Sequence, residues 1–243
     1  MLLFLHKQPT TTDNHQTTTN KFMDLPTNIE KDRAKNAVFY PVVLCSLVIL
    51  VFIFEKITKI NLSQFGTDPR EIKGLIGIIT TPFLHSNIEH LFSNIIPLFL
   101  LTFALFYFYR GIALKSFVLM WLFSGLGLWL IGRESYHIGA SGLIYALAFF
   151  LFFSGIFRRH VPLAAISAVI VFLYGSFVWG VLPYQPKPEI SWEGHLSGAV
   201  VGIIFAIILR KYGPQKPVKV WEDEPSDDEP YWLENTEELK MKN

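Results

Sequence analysis

Long apolar runs separated by short polar breaks fill the middle of this 243-residue chain. Six runs reach about the 20 residues that a helix needs to cross a hydrocarbon layer roughly 30 Å thick. The breaks between them carry glycine, proline and charged residues, which are typical of loops and helix ends. The pattern predicts an all-α, polytopic membrane protein with six transmembrane helices. The predicted spans are approximately Ala37–Ile57, His90–Tyr109, Ile112–Ile131, Gly139–Phe157, Val161–Leu182 and Trp192–Leu209.

Polar segments flank this apolar region on both sides. Residues 10–20 are rich in Thr, Asn and Gln, and the segment after Lys211 combines four prolines with the acidic stretch Glu222–Glu229. Such compositions bury too little apolar surface to offset the entropy cost of ordering. We therefore expect disordered tails over residues 1–36 and 211–243, and a membrane domain over residues 37–210.

The overall composition favours a lipid bilayer as the environment. Hydrophobic residues make up 51% of the chain and charged residues 17%, below the approximately 25% of an average globular domain. With 21 basic and 20 acidic residues, the chain lacks the basic excess that binding to a nucleic acid backbone requires. Cys45 is the single cysteine, which excludes a disulfide within the chain and a cysteine-based metal site. The oligomeric state is left open.

Basic residues indicate how the helices are oriented. They concentrate in the N-terminal tail, the second and fourth loops and the C-terminal tail, and Arg158 with Arg159 is the clearest pair. Loops rich in Lys and Arg stay in the cytoplasm. We expect both termini to be cytoplasmic, so that the second, fourth and sixth helices all begin at the non-cytoplasmic face.

The starts of these three helices hold the polar residues of the predicted spans. Polar groups in a bilayer are costly and indicate function. At about 100° per residue, His90 shares a helix face with Asn94, as does Ser141 with Tyr145. These groups should converge at one depth of the membrane. The full set is His85, His90, Asn94, Ser141, Tyr145 and His195.

Ser141 and His195 suit nucleophilic catalysis, because a serine hydroxyl becomes reactive when an imidazole takes its proton. Gly198 and Gly202 follow His195 at i+3 and i+7 and form a stripe that lets another helix approach closely. If this stripe packs on residues Gly139–Gly142, Ser141 and His195 can meet. No carboxylate is placed to orient His195, so we expect a dyad rather than a triad.

A developing oxyanion needs fixed hydrogen-bond donors. The backbone N–H of Ser141, the amide of Asn94 and the ring of His90 could supply them.

The chain lacks the residues that two other hydrolytic mechanisms need. No aspartate lies between Asp68 and Asp223, which excludes a pair of intramembrane aspartates. His85 and His90 are five residues apart, a poor zinc geometry compared with an i, i+4 pair. We expect neither a metal nor a cofactor.

Three motifs stand at these positions. Residues 85–94 (HSNIEHLFSN), residues 139–142 (GASG) and residues 195–198 (HLSG) resemble the H-x-x-x-x-H-x-x-x-N, G-x-S-G and H-x-x-G motifs of the rhomboid family of intramembrane serine proteases. They follow in the family's order on the second, fourth and sixth predicted helices. The resemblance covers approximately residues 37–210. Many family members also carry Trp-Arg in the first loop, where residues 74–79 here are GLIGII.

The resemblance implies a role for each residue of the polar set. Ser141 would be the nucleophile, His195 the general base, and His90 and Asn94 side chains of the oxyanion hole. Tyr145 would pack against the His195 ring, and His85 would be structural. The substrates would be transmembrane segments of other proteins, and we expect cleavage near the non-cytoplasmic face.

Other interpretations stay open for these residues. Ser141 could be a small packing residue, and the histidines and Asn94 could form structural hydrogen bonds between helices. A catalytically inactive binder of membrane proteins would be marked by loss of Ser141 or His195, and both are present. A small transporter would show two related halves with broken helices, which are not visible. His137 and Arg133, in the third loop, are expected to face solvent.

Overall fold

The computed structural model describes residues 14–159, 161–173, 180–183 and 190–214. Short helical turns at Ser63–Phe65 and over Ile72–Phe83 lie in the first loop. Within the described ranges, the only bridge between extended backbone segments joins Thr67 to His137. The architecture is therefore all-helical, as predicted. Its longer helices are α1 (Asn14–Thr58), α2 (Ile88–Phe108), α3 (Ala113–Ile131), α4 (Ser141–Arg158), α5 (Val161–Leu173) and α6 (Trp192–Ile208).

Four of these helices are long and apolar enough to cross a membrane. Helix α6 has 17 residues and α5 ends at Leu173, with residues 174–179 outside the described ranges. Large apolar side chains such as Leu50, Ile53 and Leu130 point outward, where a bilayer would cover them. Because the described parts of α5 and α6 are shorter than a full span, the fifth and sixth predicted spans stay predictions. The four spans are Lys31–Thr58, Ile88–Phe108, Ala113–Ile131 and Ser141–Arg158.

One part of the predicted organisation differs from the structure. Helix α1 begins at Asn14, so residues 14–36 are helical where a disordered tail was expected. A polar Thr/Asn/Gln tract has no apolar periodicity, which is why the sequence pattern gave no signal for this helix. The first loop, between α1 and α2, contains helical turns. The C-terminal tail from residue 215 lies outside the described ranges.

Helix α4 lies at the centre of the bundle. It packs against α6, α5, α2 and α3, while α1 packs against α2 and α3 against α6. The side chains of Ala146, Leu147, Phe150 and Leu151 in α4 are completely buried. Since α4 begins with Ser141, the predicted nucleophile is attached to the most enclosed helix.

Side-chain caps define where the two neighbouring helices of the predicted site begin. Asn87 accepts a hydrogen bond from the backbone N–H of His90 at 2.8 Å. Ser191 accepts one from the backbone N–H of Gly194 at 3.2 Å. Each cap satisfies a donor that the first helical turn leaves unpaired. The caps therefore fix the residues at which α2 and α6 begin, and these first turns carry His90 and His195.

Candidate active site

Glycines bring the backbones of α4 and α6 into direct contact. A Cβ atom built on Gly198 would overlap the carbonyl oxygen of Gly142, and one on Gly202 would overlap that of Ala146. A Cβ on Gly142 would lie 3.2 Å from the carbonyl oxygen of Gly194. Small residues permit this approach between membrane helices. The contact places the first turns of α4 and α6 side by side.

The His195 ring lies on the ring of Tyr145. The two ring centroids are 4.2 Å apart and the planes differ by 11°. Tyr145 follows Ser141 by one helical turn on the same face of α4. His195 is itself buried, with 9% of its surface exposed. Packing therefore holds the imidazole one turn along α4 from the Ser141 side chain.

A backbone carbonyl orients the His195 ring. Its Nδ1 is 2.9 Å from the carbonyl oxygen of Gly180. Because a carbonyl only accepts, Nδ1 carries the proton and Nε2 has the free lone pair. No hydrogen bond joins Ser141 to His195 among the described residues. Hydrogen bonds between catalytic groups often tighten only when substrate is bound.

The His90 ring stands over the turn that precedes Ser141. A Cβ on Gly139 would be 2.6 Å from His90 Nε2, and Gly139 has a φ of +112°. Both observations require glycine at this position. His90 Nδ1 is 3.3 Å from the Ser86 hydroxyl. The structure thus brings His90 to the start of α4.

The His85 ring packs against the His90 ring. The two ring centroids are 4.9 Å apart, and 1% of His85 is exposed. Burial, with a smaller contribution from the nearby His90, lowers the pKa of His85 to about 4. The ring is therefore neutral at pH 7, which suits a packing role.

Asn94 uses its amide within its own helix. Its Nδ2 donates to the carbonyl oxygen of His90 at 2.8 Å. Its Oδ1 is buried and has no hydrogen-bond partner among the described residues. The same Nδ2 also donates to the Ser93 hydroxyl at 3.5 Å, so the second N–H makes only a long contact.

The expectation that His137 faces solvent is wrong, whereas the Arg133 side chain is 40% exposed, as expected. Only 4% of His137 is exposed, and its Nδ1 is 2.7 Å from the hydroxyl of Ser191. Arg133 forms an ion pair at 3.3 Å with Glu193, which is 3% exposed. Burial lowers the pKa of His137 from its ordinary value. The partners are more than 50 residues away along the chain, so no local pattern pointed to them.

Tryptophans of α3 anchor the first loop, which lacks the family's Trp-Arg. Trp129 Nε1 donates to the carbonyl oxygen of Glu71 at 2.9 Å, and Trp121 Nε1 donates to that of Ile78 at 3.0 Å. Arg70 Nη1 donates to the carbonyl oxygen of Gly132 at 2.7 Å. The loop is therefore held by two tryptophans of α3 and by its own Arg70.

A small cavity of about 30 Å³ lies beside Ser141. Its wall includes the polar residues Thr81, Ser124, His137 and Ser191. A cavity of this size with several polar partners is large enough for a water molecule. Hydrolytic chemistry at Ser141 would need such access to water.

Comparison with known proteins indicates the family of this chain. The model of the Rhomboid domain matches residues 73–212. An uncharacterized protein of Mycobacterium tuberculosis is 36% identical over 171 residues, which are 68% of this chain and 71% of that protein. An uncharacterized protein of Mycobacterium leprae is 36% identical over 173 residues, 68% of each chain.

A more distant relative from Acanthamoeba polyphaga mimivirus is named "Putative rhomboid protein". It is 25% identical over 168 residues, which are 67% of this chain and 87% of that protein. The matched domain covers more than half of the chain and includes all three motifs. This chain is therefore a multi-pass integral membrane protein of the rhomboid family, whose members are serine proteases that cleave membrane proteins within the bilayer.

Proposed function

We propose that this chain is an active intramembrane serine endopeptidase in which Ser141 and His195 form a catalytic dyad. The observation that carries the proposal is the orientation of His195. Its Nδ1–H is bound to the Gly180 carbonyl, its face lies on Tyr145, and its unprotonated Nε2 remains for the Ser141 hydroxyl. A base held in one tautomer next to a serine is the minimum that acyl transfer requires.

The reaction then proceeds in two transfers. Ser141 Oγ attacks the scissile carbonyl carbon while its proton moves to His195 Nε2. The tetrahedral intermediate collapses as Nε2–H protonates the leaving nitrogen, and the C–N bond breaks to leave an ester on Ser141. A water molecule, deprotonated by His195, attacks this ester, and the second collapse releases the new carboxyl terminus and restores Ser141.

The start of α4 supports an oxyanion hole. Ser141 is the first residue of the helix, where backbone N–H groups have no partner within the helix and the macrodipole favours negative charge. We assign the His90 side chain, beside Gly139, and the Asn94 amide, whose contact with the Ser93 hydroxyl is long at 3.5 Å, as further donors. Removing one preorganised donor typically costs about 10²–10³ in turnover. A variant of one donor should therefore keep more activity than Ser141→Ala.

The substrate is proposed to be a membrane-spanning segment. In a bilayer helix the peptide carbonyls are engaged in hydrogen bonds, so the segment must unwind before Ser141 can attack. Small residues at the cut and helix-weakening Gly or Pro nearby should favour cleavage. The distribution of basic residues supports cytoplasmic termini. The cut is then expected near the non-cytoplasmic end of the substrate segment.

The test uses purified protein in detergent with a transmembrane model substrate. Ser141→Ala and His195→Ala should each abolish cleavage, because they remove the nucleophile and its base. Ser63→Ala is the matched control, since the Ser63 hydroxyl bonds only Asn61 in the first loop among the described residues. Mass spectrometry of the products locates the cut. Cleavage of the same bond by Ser141→Ala would refute the dyad, and a cut at the cytoplasmic end would refute the orientation.

A further inference from the structure

Four polar residues tie together the two segments that lead into Ser141 and His195. They are Arg133 and His137 in the loop before α4, and Ser191 and Glu193 at the start of α6, and we call them the clamp. None of them takes part in the proton transfers proposed above. Ser191 is four residues before His195 and His137 is four residues before Ser141. Any movement of the clamp would therefore change the distance between the two reacting groups.

The His137 ring is satisfied on both nitrogens. Nε2 lies 3.0 Å from the carbonyl oxygen of Arg133, so Nε2 carries the proton and donates it. Nδ1 is then an acceptor for the Ser191 hydroxyl at 2.7 Å. The same Ser191 oxygen accepts the Gly194 N–H and caps α6. One chain of hydrogen bonds thus runs from the loop before Ser141 into the first turn of the helix that carries His195.

The ion pair makes a second connection between the same two segments. Arg133 Nη1 lies 3.3 Å from both carboxylate oxygens of Glu193. Arg133 Nη2 donates to the carbonyl oxygen of Ile190 at 2.9 Å. The Glu193 side chain is 3% exposed and that of Arg133 40%. A pair buried on the helix side restricts how the start of α6 can move relative to the loop.

The backbone of His137 is itself fixed to the first loop. Its N–H donates to the Thr67 carbonyl at 2.8 Å and its carbonyl accepts from the Thr67 N–H at 3.0 Å. The Thr81 hydroxyl donates to the same His137 carbonyl at 3.2 Å. His137 is therefore the point where an immobilised loop meets the cap of α6.

We propose that His137 and Ser191 are positioning residues that hold the start of α6, and with it His195, in register with Ser141. The proposal rests on the proposed dyad. Because neither residue contacts the reacting atoms, their loss should lower kcat and leave KM nearly unchanged. A displacement of about 1 Å at a catalytic group can cost as much as 100-fold in rate.

The first experiment measures kcat and KM for Ser191→Ala, Ser191→Thr and the control Ser63→Ala. Ser191→Ala removes the cap and the partner of His137, and we expect kcat to fall roughly tenfold to 100-fold. Ser191→Thr keeps the hydroxyl and should restore most of kcat. A wild-type kcat in Ser191→Ala, or a loss that threonine does not restore, would overturn the clamp proposal.

A double-mutant cycle separates positioning from general weakening of the fold. His137→Asn and the double variant His137→Asn/Ser191→Ala are compared at matched folded fractions. If the residues act as one unit, the double variant loses no more kcat than the worse single variant. If the loss of kcat in the double variant equals the product of the two single losses, the proposal is overturned. If Ser191→Ala fails to fold, kcat and KM are measured for His137→Asn instead. A wild-type kcat in that variant would overturn the proposal.

The failure of the dyad and the failure of the clamp give different results. Wild-type protein that shows no Ser141-dependent cleavage would overturn the proposed function and the clamp with it. Normal Ser141-dependent cleavage together with unimpaired Ser191→Ala and His137→Asn would overturn the clamp alone.

Discussion

The two ends of the α4–α6 pair are built on opposite principles. At the end distant from Ser141, the buried Arg158 side chain donates to the carbonyl oxygens of Leu209 and Arg210 and to the Tyr109 hydroxyl. At the Ser141 end, His195 Nε2 and the Ser141 hydroxyl have no hydrogen-bond partner among the described residues. One end uses its polar groups to anchor the helices, and the other leaves the two groups of the proposed dyad without such bonds.

The contrast shows how the Ser141 end can be stabilised without hydrogen bonds to the atoms that are proposed to react. Arg158 satisfies carbonyls that a helix C-terminus leaves unpaired. At the other end, Ser191 accepts from a backbone N–H in the first turn of α6, and His137 Nδ1 accepts from the Ser191 hydroxyl. The anchoring is therefore carried by neighbours of the dyad and not by the dyad itself.

The glycine contact begins at the Ser141 end of the α4–α6 pair, and breaking it should have the largest effect. Gly198→Ala places a methyl group against the Gly142 carbonyl and forces α4 and α6 apart. We expect cleavage to fall by about 100-fold or more, because the reacting groups separate. Gly111→Ala is the matched control, since a Cβ there meets nothing within 4 Å. Wild-type cleavage by Gly198→Ala would show that the contact is not needed to align the site.

Removing the anchor at the Arg158 end should reduce stability more than catalysis. Arg158→Met leaves carbonyl groups of the α6 end without their donor, at a cost of about 1–3 kcal/mol. The thermal unfolding midpoint in detergent should fall, while kcat per folded molecule should stay close to the wild-type value, because Arg158 lies at the end of α4 distant from Ser141. Arg159→Met changes the exposed neighbour and serves as the control. A large loss of kcat at full stability would mean that the two ends are coupled.

A smaller effect, confined to the Ser141 end, should appear with pH. Burial holds the pKa of His137 below its ordinary value of 6.5. The unfolded chain then binds the proton first as pH falls, so His137 stabilises the fold fully above pH 6.5 and less below it. We expect the difference in unfolding midpoint between wild type and His137→Asn to shrink from pH 7.5 to pH 5.5. A difference that is constant or grows would contradict a neutral buried His137.

The sequence predicted the parts of this molecule that depend on local pattern. Apolar runs indicated the spans that contain α2, α3 and α4, because each run matches the length of a helix in a bilayer. The glycine stripe Gly198 and Gly202 indicated a close contact between helices, because the two residues repeat at helical spacing.

The contacts that the sequence pattern did not predict join residues that are distant along the chain. His137 bonds Ser191 across 54 residues, and Trp129 reaches the Glu71 carbonyl across 58. Such contacts arise from how helices and loops assemble, and no spacing in the sequence encodes them. The orientation of His195 by the Gly180 carbonyl was hidden for a further reason, because a backbone acceptor carries no residue-type signal.

The central claim is that Ser141 is a nucleophile activated by His195. The most direct measurement is reaction of the purified protein with a fluorophosphonate, followed by peptide mass spectrometry to locate the adduct. We expect the adduct on Ser141 in the wild type, none in Ser141→Ala, and much slower labelling in His195→Ala. An adduct on another serine, or equal labelling rates in the wild type and His195→Ala, would contradict the claim.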